Sequence, residues 1–126
     1  VSPNQSILET WKKKGIQHAT MLHTKDRKKA NEDEEFLKPL REATGIWFGG
    51  GRQWNFADSY YGTTAHRLMK EVLQRGGVIG GSSAGASIQA RYLARATPIE
   101  NFNIMAPGYE RGGLGFIDGA AIDQHF

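Results

Sequence analysis

Short apolar runs alternate with longer amphipathic stretches in the second part of the chain. Residues 46–48 and 78–81 are apolar, and each run leads into a glycine-rich loop, as buried parallel strands often do. Between them, residues 63–75 carry apolar side chains at helical spacing and are followed by two glycines. This alternation predicts an α/β fold with an open, mainly parallel sheet, right-handed crossovers and helices on both faces.

The N-terminal part shows weaker periodicities. Residues 6–14 predict a short helix that Gly15 ends, and residues 16–22 predict a strand, although the same run is compatible with a helix. Residues 31–44 predict a second helix, with Asn31 as its N-cap and acidic residues in its first turn.

The C-terminal part predicts one more helix and one more strand. The helix follows the strand at 78–81 and reaches about Leu93, whereas residues 120–122 predict a last short strand. A chain of 126 residues is long enough for one domain and too short for two. We therefore treat residues 1–126 as a single domain, with its motifs in residues 45–126.

Composition and charge narrow the classes of partner. Hydrophobic residues make up 39% of the chain and charged residues 23%, which is typical of a globular protein. The net charge is +3, and the basic cluster at 25–29 is followed at once by acidic residues at 32–35, which argues against nucleic-acid binding. No apolar run is long enough for a membrane span, and the first residues do not resemble an intact signal peptide. The absence of cysteine excludes disulfides, thiolate metal sites and a cysteine nucleophile.

The strongest chemical motif is a serine between a strand and a helix. Residues 81–85 are Gly-Ser-Ser-Ala-Gly and fit G-x-S-x-G in the context of a nucleophile elbow. Ser83 is the predicted nucleophile, because the positions two before and two after it lack a side chain, as the strained turn requires. The amide of Ala84, at the helix N-terminus, is a candidate donor to a developing oxyanion. The alternative is a plain strand-to-helix connection with Ser82 as N-cap.

A serine nucleophile needs a base within hydrogen-bond reach. His125 is the predicted base, because it follows the last predicted strand, at the edge where open α/β sheets place their sites. His18, His23 and His66 are interpreted as surface or partly buried structural residues. Glu100 is the predicted acid that orients His125, with the role of a solvated loop acid as an equally open alternative.

A second glycine-rich loop follows the first apolar run. Its glycines expose backbone N–H groups, and one of them, at Gly50 or Gly51, is a candidate second oxyanion donor. Gln53 adds a side-chain amide that can both donate and accept. The alternative is a simple turn between a strand and a helix.

Three segments together resemble the cyanophycinase and dipeptidase E family of serine exopeptidases. They are Gly-Gly-Arg-Gln at 50–53, Gly-Gly-Ser-Ser-Ala-Gly-Ala at 80–86 and Asp-Gln-His-Phe at 123–126. The resemblance implies a fold like that of class I glutamine amidotransferases, with serine in place of the cysteine nucleophile, and hydrolysis of aspartyl peptide or isopeptide bonds through an acyl-enzyme. It also implies Ser83 as nucleophile and His125 as base.

The same resemblance implies the rest of the site. The oxyanion donors would be Ala84 with Gly50 or Gly51, and the pocket for a peptide substrate would be lined by Arg52, Gln53, Asp123 and Gln124. No metal or organic cofactor is implied, a homodimer is an open option, and the compartment stays open between cytoplasm and a secreted parent.

Two departures from the family pattern matter. Arg52 stands where cyanophycinases usually carry an acid, which puts cyanophycin itself in question as a substrate. The chain also stops at Phe126, directly after the predicted base, without the family's opening strand or the basic segment expected beyond the histidine, so we expect a partial domain, incomplete at both ends. The alternative functions are a non-catalytic peptide- or small-acid-binding domain on the same fold, and an esterase that shares only the elbow.

Overall fold

The computed structural model describes residues 6–94 and 112–123. These residues form a mixed arrangement of short helices and parallel strands. In chain order the elements are α1 (Ser6–Lys13), α2 (Arg27–Glu32), α3 (Glu34–Glu42), β1 (Gly45–Phe48), α4 (Gln53–Tyr60), α5 (Thr64–Gln74), β2 (Val78–Gly81), α6 (Ala84–Ser87), β3 (Ala90–Tyr92) and β4 (Ile117–Ala121).

The two predicted apolar strands pair side by side. β1 and β2 are parallel, and Phe48 is in register with Gly81, so both strands end at the same edge. α5 connects them, with Leu68 and Val72 fully buried. Burial of an aliphatic side chain of this kind contributes roughly 1.5–3 kcal/mol, which explains why an amphipathic stretch forms the crossover helix here. The predicted strands and the helix between them are confirmed.

A second parallel pair lies further along the chain. β3 pairs with β4, with Ala90 opposite Ile117 and Tyr92 opposite Ala121, and the register shifts between them. The described residues thus form two two-stranded sheets. The α/β architecture with parallel strands is confirmed, whereas one open sheet and its amidotransferase-like class stay predictions.

The core lies between the helices and the end of β1. α3 packs against α5 and buries Phe36, Leu37 and Leu40. Phe48, the last residue of β1, meets the ring of Phe56 edge-on, with 5.5 Å between centroids. The edge where the two glycine-rich loops begin is therefore anchored by aromatic packing.

Two expectations for the N-terminal part are wrong. Residues 16–22 form no strand, and the predicted helix over 31–44 is two helices, α2 and α3. Asp33, not Asn31, caps α3, because its carboxylate accepts from the backbone amides of Glu35 and Phe36. The helix predicted over 6–14 is confirmed as α1, followed by Gly15 in the left-handed region.

Two further differences concern the region around the elbow. The helix expected to reach Leu93 ends at Ser87, and the chain turns directly into β3. The reason is tertiary, because β3 finds its partner in a strand 25 or more residues away. α4 was not predicted, since its buried face includes the polar residues Gln53 and Ser59 and its apolar periodicity is correspondingly weak.

Candidate active site

The turn after β2 places Ser83 in a strained backbone conformation. The N–H of Ser82 donates to the carbonyl of Phe48 at 3.1 Å, and Ser83 then adopts φ +56° and ψ −121°. Among the described residues, Ser83 alone has a positive φ without being glycine. Such a conformation costs on the order of 1–3 kcal/mol and is typical of a serine held on a sharp strand-to-helix turn.

Both flanking glycines are required by contacts across this turn. A Cβ at Gly85 would collide with the carbonyl of Phe48, and a Cβ at Gly81 would collide with the carbonyl of Gly85. The backbones of β1, β2 and α6 therefore meet without any side chain between them. This close approach is the physical basis of the G-x-S-x-G pattern.

The loop after β1 lies beside the elbow. A Cβ at Gly50 would stand 3.7 Å from the Cβ of Ser83, and Gly51 adopts φ +134°. Two glycine-rich loops that are some 30 residues apart in sequence are thus brought together by the β1–β2 register. The N–H of Gly50 or Gly51 is the expected second oxyanion donor, and that role stays a prediction.

Ala84 opens α6 directly after Ser83 and is fully buried. The first N–H groups of a helix have no intrahelical acceptor, so the Ala84 amide is suited to donate to an anion. α6 has only four residues, which makes its dipole smaller than the longer predicted helix would have supplied. Ala84 would therefore act mainly through its own N–H.

The two side chains that follow the glycine-rich loop after β1, those of Arg52 and Gln53, lie in different environments. Gln53 is buried, and its Nε2 donates to the carbonyl of Ala94 at 3.0 Å, so it ties α4 to the end of the β3 segment. Arg52 is exposed, with its guanidinium 5.2 Å from the centre of the Trp54 ring. Arg52 therefore presents a fixed positive charge at the loop beside Ser83, and substrate contacts of either residue stay predictions.

His66 lies buried in α5, with both ring nitrogens hydrogen-bonded. The N–H of Gly62 donates to Nδ1 at 3.0 Å, and Nε2 lies 2.6 Å from the carbonyl of Leu114. Because the Gly62 N–H can donate only to an unprotonated nitrogen, the proton is on Nε2, which donates to the carbonyl of Leu114, and the ring is neutral. Burial lowers the pKa of His66 below its ordinary value; the bond to Leu114 opposes this and the charge of Lys70 adds to it.

The other two described histidines do not lie in the elbow. His18 is exposed in the segment between α1 and α2. His23 is half-buried beside a small pocket formed with α4, and burial together with nearby positive charge, including Lys25, lowers its pKa. Neither position suggests a role as the base of Ser83.

The remaining predicted site residues lie at the end of the described ranges or outside them. Asp123 is exposed two residues after β4. Glu100, Gln124 and His125 lie outside the described residues, so the acid, the base and one pocket residue stay predictions. β4 pairs with β3, which begins a few residues after α6 ends.

Two features near the elbow were missed in the sequence. The His66–Leu114 bond joins residues 48 positions apart, and no local pattern could have revealed it. The hydroxyl of Ser87, in the last position of α6, is fully buried and has no hydrogen-bond partner among the described residues. The sequence signal available for this feature was a second serine, one helical turn after Ser83.

Within residues 6–94 and 112–123, no cluster of three or more His, Cys, Asp or Glu side chains is arranged to hold a metal ion. None of the helices in that part of the chain has the length and apolar character needed to cross a bilayer.

Comparison with known proteins agrees with the motifs. A protein-family model described as peptidase family S51 matches residues 5–126. Cyanophycinases from Synechococcus elongatus and from Thermosynechococcus vestitus are each 29% identical to this chain in an alignment of 118 residues that covers 89% of this chain. The chain spans 35% of the length of these two relatives. Because the family model covers nearly all of it, including the strained serine turn and both glycine-rich loops, the chain belongs to peptidase family S51.

Proposed function

We propose that the protein is a serine exopeptidase that hydrolyses a peptide or isopeptide bond at aspartyl residues through an acyl-enzyme, with Ser83 as nucleophile. The observation that carries this proposal is the strained backbone of Ser83 between two glycines that tolerate no Cβ. Family membership and the two cyanophycinase relatives support the same class of reaction.

The strained turn has a direct chemical consequence. A positive φ turns the Ser83 side chain out of the ordinary path of a strand or helix, and the surrounding backbone contacts hold it there. A nucleophile fixed in this way loses little entropy on approaching the substrate carbonyl. The strained backbone conformation therefore keeps the Ser83 hydroxyl in a position suited to attack.

The reaction follows ordinary acyl transfer. The Ser83 hydroxyl attacks the scissile carbonyl while His125 accepts its proton, and Glu100 orients the imidazole. The N–H of Ala84 and that of Gly50 or Gly51 stabilise the oxyanion of the tetrahedral intermediate. Collapse of this intermediate breaks the C–N bond, and His125 gives its proton to the leaving amine. A water molecule, deprotonated by His125, then hydrolyses the ester and restores the Ser83 hydroxyl.

The charge beside the elbow bears on the substrate. Arg52 is exposed next to the glycine loop and attracts carboxylates, whereas it repels cationic side chains. Aspartyl peptides with a free carboxylate suit this loop better than arginine-rich substrates do. We therefore place the substrate among aspartyl or β-aspartyl peptides and make cyanophycin the weaker candidate.

The test is covalent labelling of the full-length protein by a fluorophosphonate probe, followed by peptide mapping. Labelling should occur at Ser83, and it should disappear in the Ser83→Ala and His125→Ala variants. Ser82→Ala is the matched control, because it removes the neighbouring exposed hydroxyl and should leave labelling at Ser83 intact. A folded protein that takes up no probe would overturn the hydrolase proposal and leave a binding domain as the working hypothesis.

A further inference from the structure

The segment that precedes the candidate base is clamped at Leu114. The N–H of Leu114 donates to the carbonyl of Ile88 at 2.7 Å, and its carbonyl accepts from Nε2 of His66 at 2.6 Å. Leu114 is fully buried, and both bonds lie away from solvent. Leu114 is thus hydrogen-bonded both to Ile88, which caps α6, and to His66 of α5.

The first of these contacts leads directly to the nucleophile. Ile88 caps α6, and its N–H donates to the carbonyl of Ala84, the residue after Ser83. The N–H of Ile117 adds a third bond, to the carbonyl of Gln89 at 3.0 Å, at the start of the β3–β4 pairing. Segment 113–123 is therefore hydrogen-bonded to residues 88 and 89, which follow Ser83 by only a few positions.

His66 makes a second contact with the same segment through Phe116. The two rings meet edge-on with centroids 6.3 Å apart, and Phe116 in turn lies 6.0 Å from the ring of Phe48. The carbonyl of Phe48 accepts from Ser82, next to the nucleophile. His66 thus touches a segment that is connected to the elbow both through α6 and through β1.

The chemistry of His66 suits a clamp of fixed geometry. The N–H of Gly62 occupies Nδ1, which leaves Nε2–H to donate to the Leu114 carbonyl in a single tautomer. The ring is also enclosed by Tyr61 at 5.4 Å between centroids. Both nitrogens and one face of the ring are therefore engaged, and the imidazole has little freedom to reorient.

We propose that His66 is a positioning residue, which holds segment 113–123, the segment that precedes the candidate base in the sequence, in register with the elbow that carries Ser83. This inference rests on the proposed function, because it assigns His66 a role in that reaction. His66 itself contacts no substrate; it acts through the Leu114 carbonyl.

The test compares three variants of the full-length protein. His66→Gln keeps a side-chain N–H donor that can reach the Leu114 carbonyl, and His66→Ala removes it. Val72→Ala lies further along α5 and deletes buried volume there, so it reproduces a loss of stability without removing the clamp. For each variant, kcat and KM are measured with a β-aspartyl dipeptide, together with the amide exchange rates of Leu114 and Ile117 and the thermal midpoint.

We expect His66→Ala to lower kcat by about tenfold or more with little change in KM, because a misplaced base slows the chemical step more than it weakens binding. His66→Gln should recover most of kcat. Amide exchange at Leu114 and Ile117 should accelerate in His66→Ala and stay slow in Val72→Ala, which should also keep its kcat at a temperature well below its midpoint.

Two results would overturn the inference on different grounds. Equal losses of kcat in His66→Ala and Val72→Ala at equal losses of stability would reduce His66 to a structural role. Unchanged exchange at Leu114 and Ile117 in His66→Ala would remove the clamp itself, whatever the activity. An inactive wild-type protein would instead overturn the proposed function, and the exchange measurement would still decide whether the clamp exists.

Discussion

Gly85 faces the carbonyl group of Phe48 so closely that a Cβ at Gly85 would collide with it. This contact joins the start of α6 to the end of β1 directly beneath the strained Ser83. With any side chain at position 85, α6 and β1 would have to move apart. The backbone geometry of Ser83 therefore depends on a glycine two residues away.

The first prediction concerns Gly85→Ala. The added methyl group should lower the free energy of unfolding by about 2–3 kcal/mol, since overpacking against backbone cannot be relieved by a rotamer change. It should also abolish fluorophosphonate labelling of Ser83. Chemical denaturation and labelling of the same sample measure both effects.

Gly45→Ala is the matched control for this prediction. Gly45 also lies at the β1–β2 pair, but a Cβ there would meet only the carbonyl of Val78 at an ordinary contact distance of 3.7 Å. Its labelling should match the wild type. If Gly85→Ala labels as fast as Gly45→Ala, the close approach does not shape the elbow.

The second prediction concerns the buried hydroxyl of Ser87, for which residues 6–94 and 112–123 supply no hydrogen-bond partner. An unpaired buried hydroxyl costs about 1–3 kcal/mol, so Ser87→Ala should raise the free energy of unfolding by about 1 kcal/mol after the small loss of packing.

Thr63 offers the opposite case, because its buried hydroxyl donates to the carbonyl of Tyr60 at 2.6 Å and caps α5. Thr63→Ala should therefore destabilise by about 1 kcal/mol. Urea titration of both variants should give changes of opposite sign, and a loss of stability in Ser87→Ala would show that its hydroxyl is paired.

The third prediction is the pH dependence that His66 confers on stability. Its pKa in the folded protein is lowered below the ordinary value of 6.5, first by burial and further by the charge of Lys70. As the pH falls below 6.5, the unfolded chain binds a proton at His66 before the folded chain does. The free energy of unfolding therefore decreases through the window between 6.5 and the lowered pKa, and this contribution levels off below that pKa.

The measurement is urea denaturation of wild type and His66→Gln at several pH values between about 4.5 and 7.5. The difference in stability between the two proteins should shrink as the pH falls, because glutamine does not titrate. The other histidines contribute equally to both proteins and cancel in this difference. A difference that stays constant across the range would contradict a buried neutral His66.

Local sequence information was sufficient for the part of the site that depends on glycine and apolar runs. β1, β2 and α5 were predicted because each carries a strong apolar signal with glycine at its end. The elbow was predicted because the missing side chains at Gly81 and Gly85 are a local requirement of the turn, and the structure shows the close contacts that impose it.

Contacts between distant residues explain what was not predicted. The early end of α6 follows from the pairing of β3 with β4, and the link from His66 to Leu114 spans 48 positions. The strand expected at 16–22 has no neighbouring strand among the described residues, and an apolar run without a partner does not form a ladder. In each case the deciding interaction lies outside the window in which a pattern is recognised.

The fourth prediction concerns the charge that Arg52 places beside the glycine loop. Its guanidinium lies 5.2 Å from the centre of the Trp54 ring, which limits its motion. Arg52→Glu should lower KM for a β-aspartyl-arginine dipeptide by about three- to tenfold, with kcat little changed, because the repulsion of a cationic side chain becomes an attraction. The same substitution should raise KM for a β-aspartyl peptide that carries a carboxylate instead of the arginine side chain.

Lys38→Glu, which makes the same change of charge at an exposed position of α3, should leave both KM values unaltered. Added salt should reduce the effect of Arg52→Glu, since screening weakens exposed charges. Equal responses of the two substrates to Arg52→Glu would mean that this charge does not face the side chain next to the scissile bond.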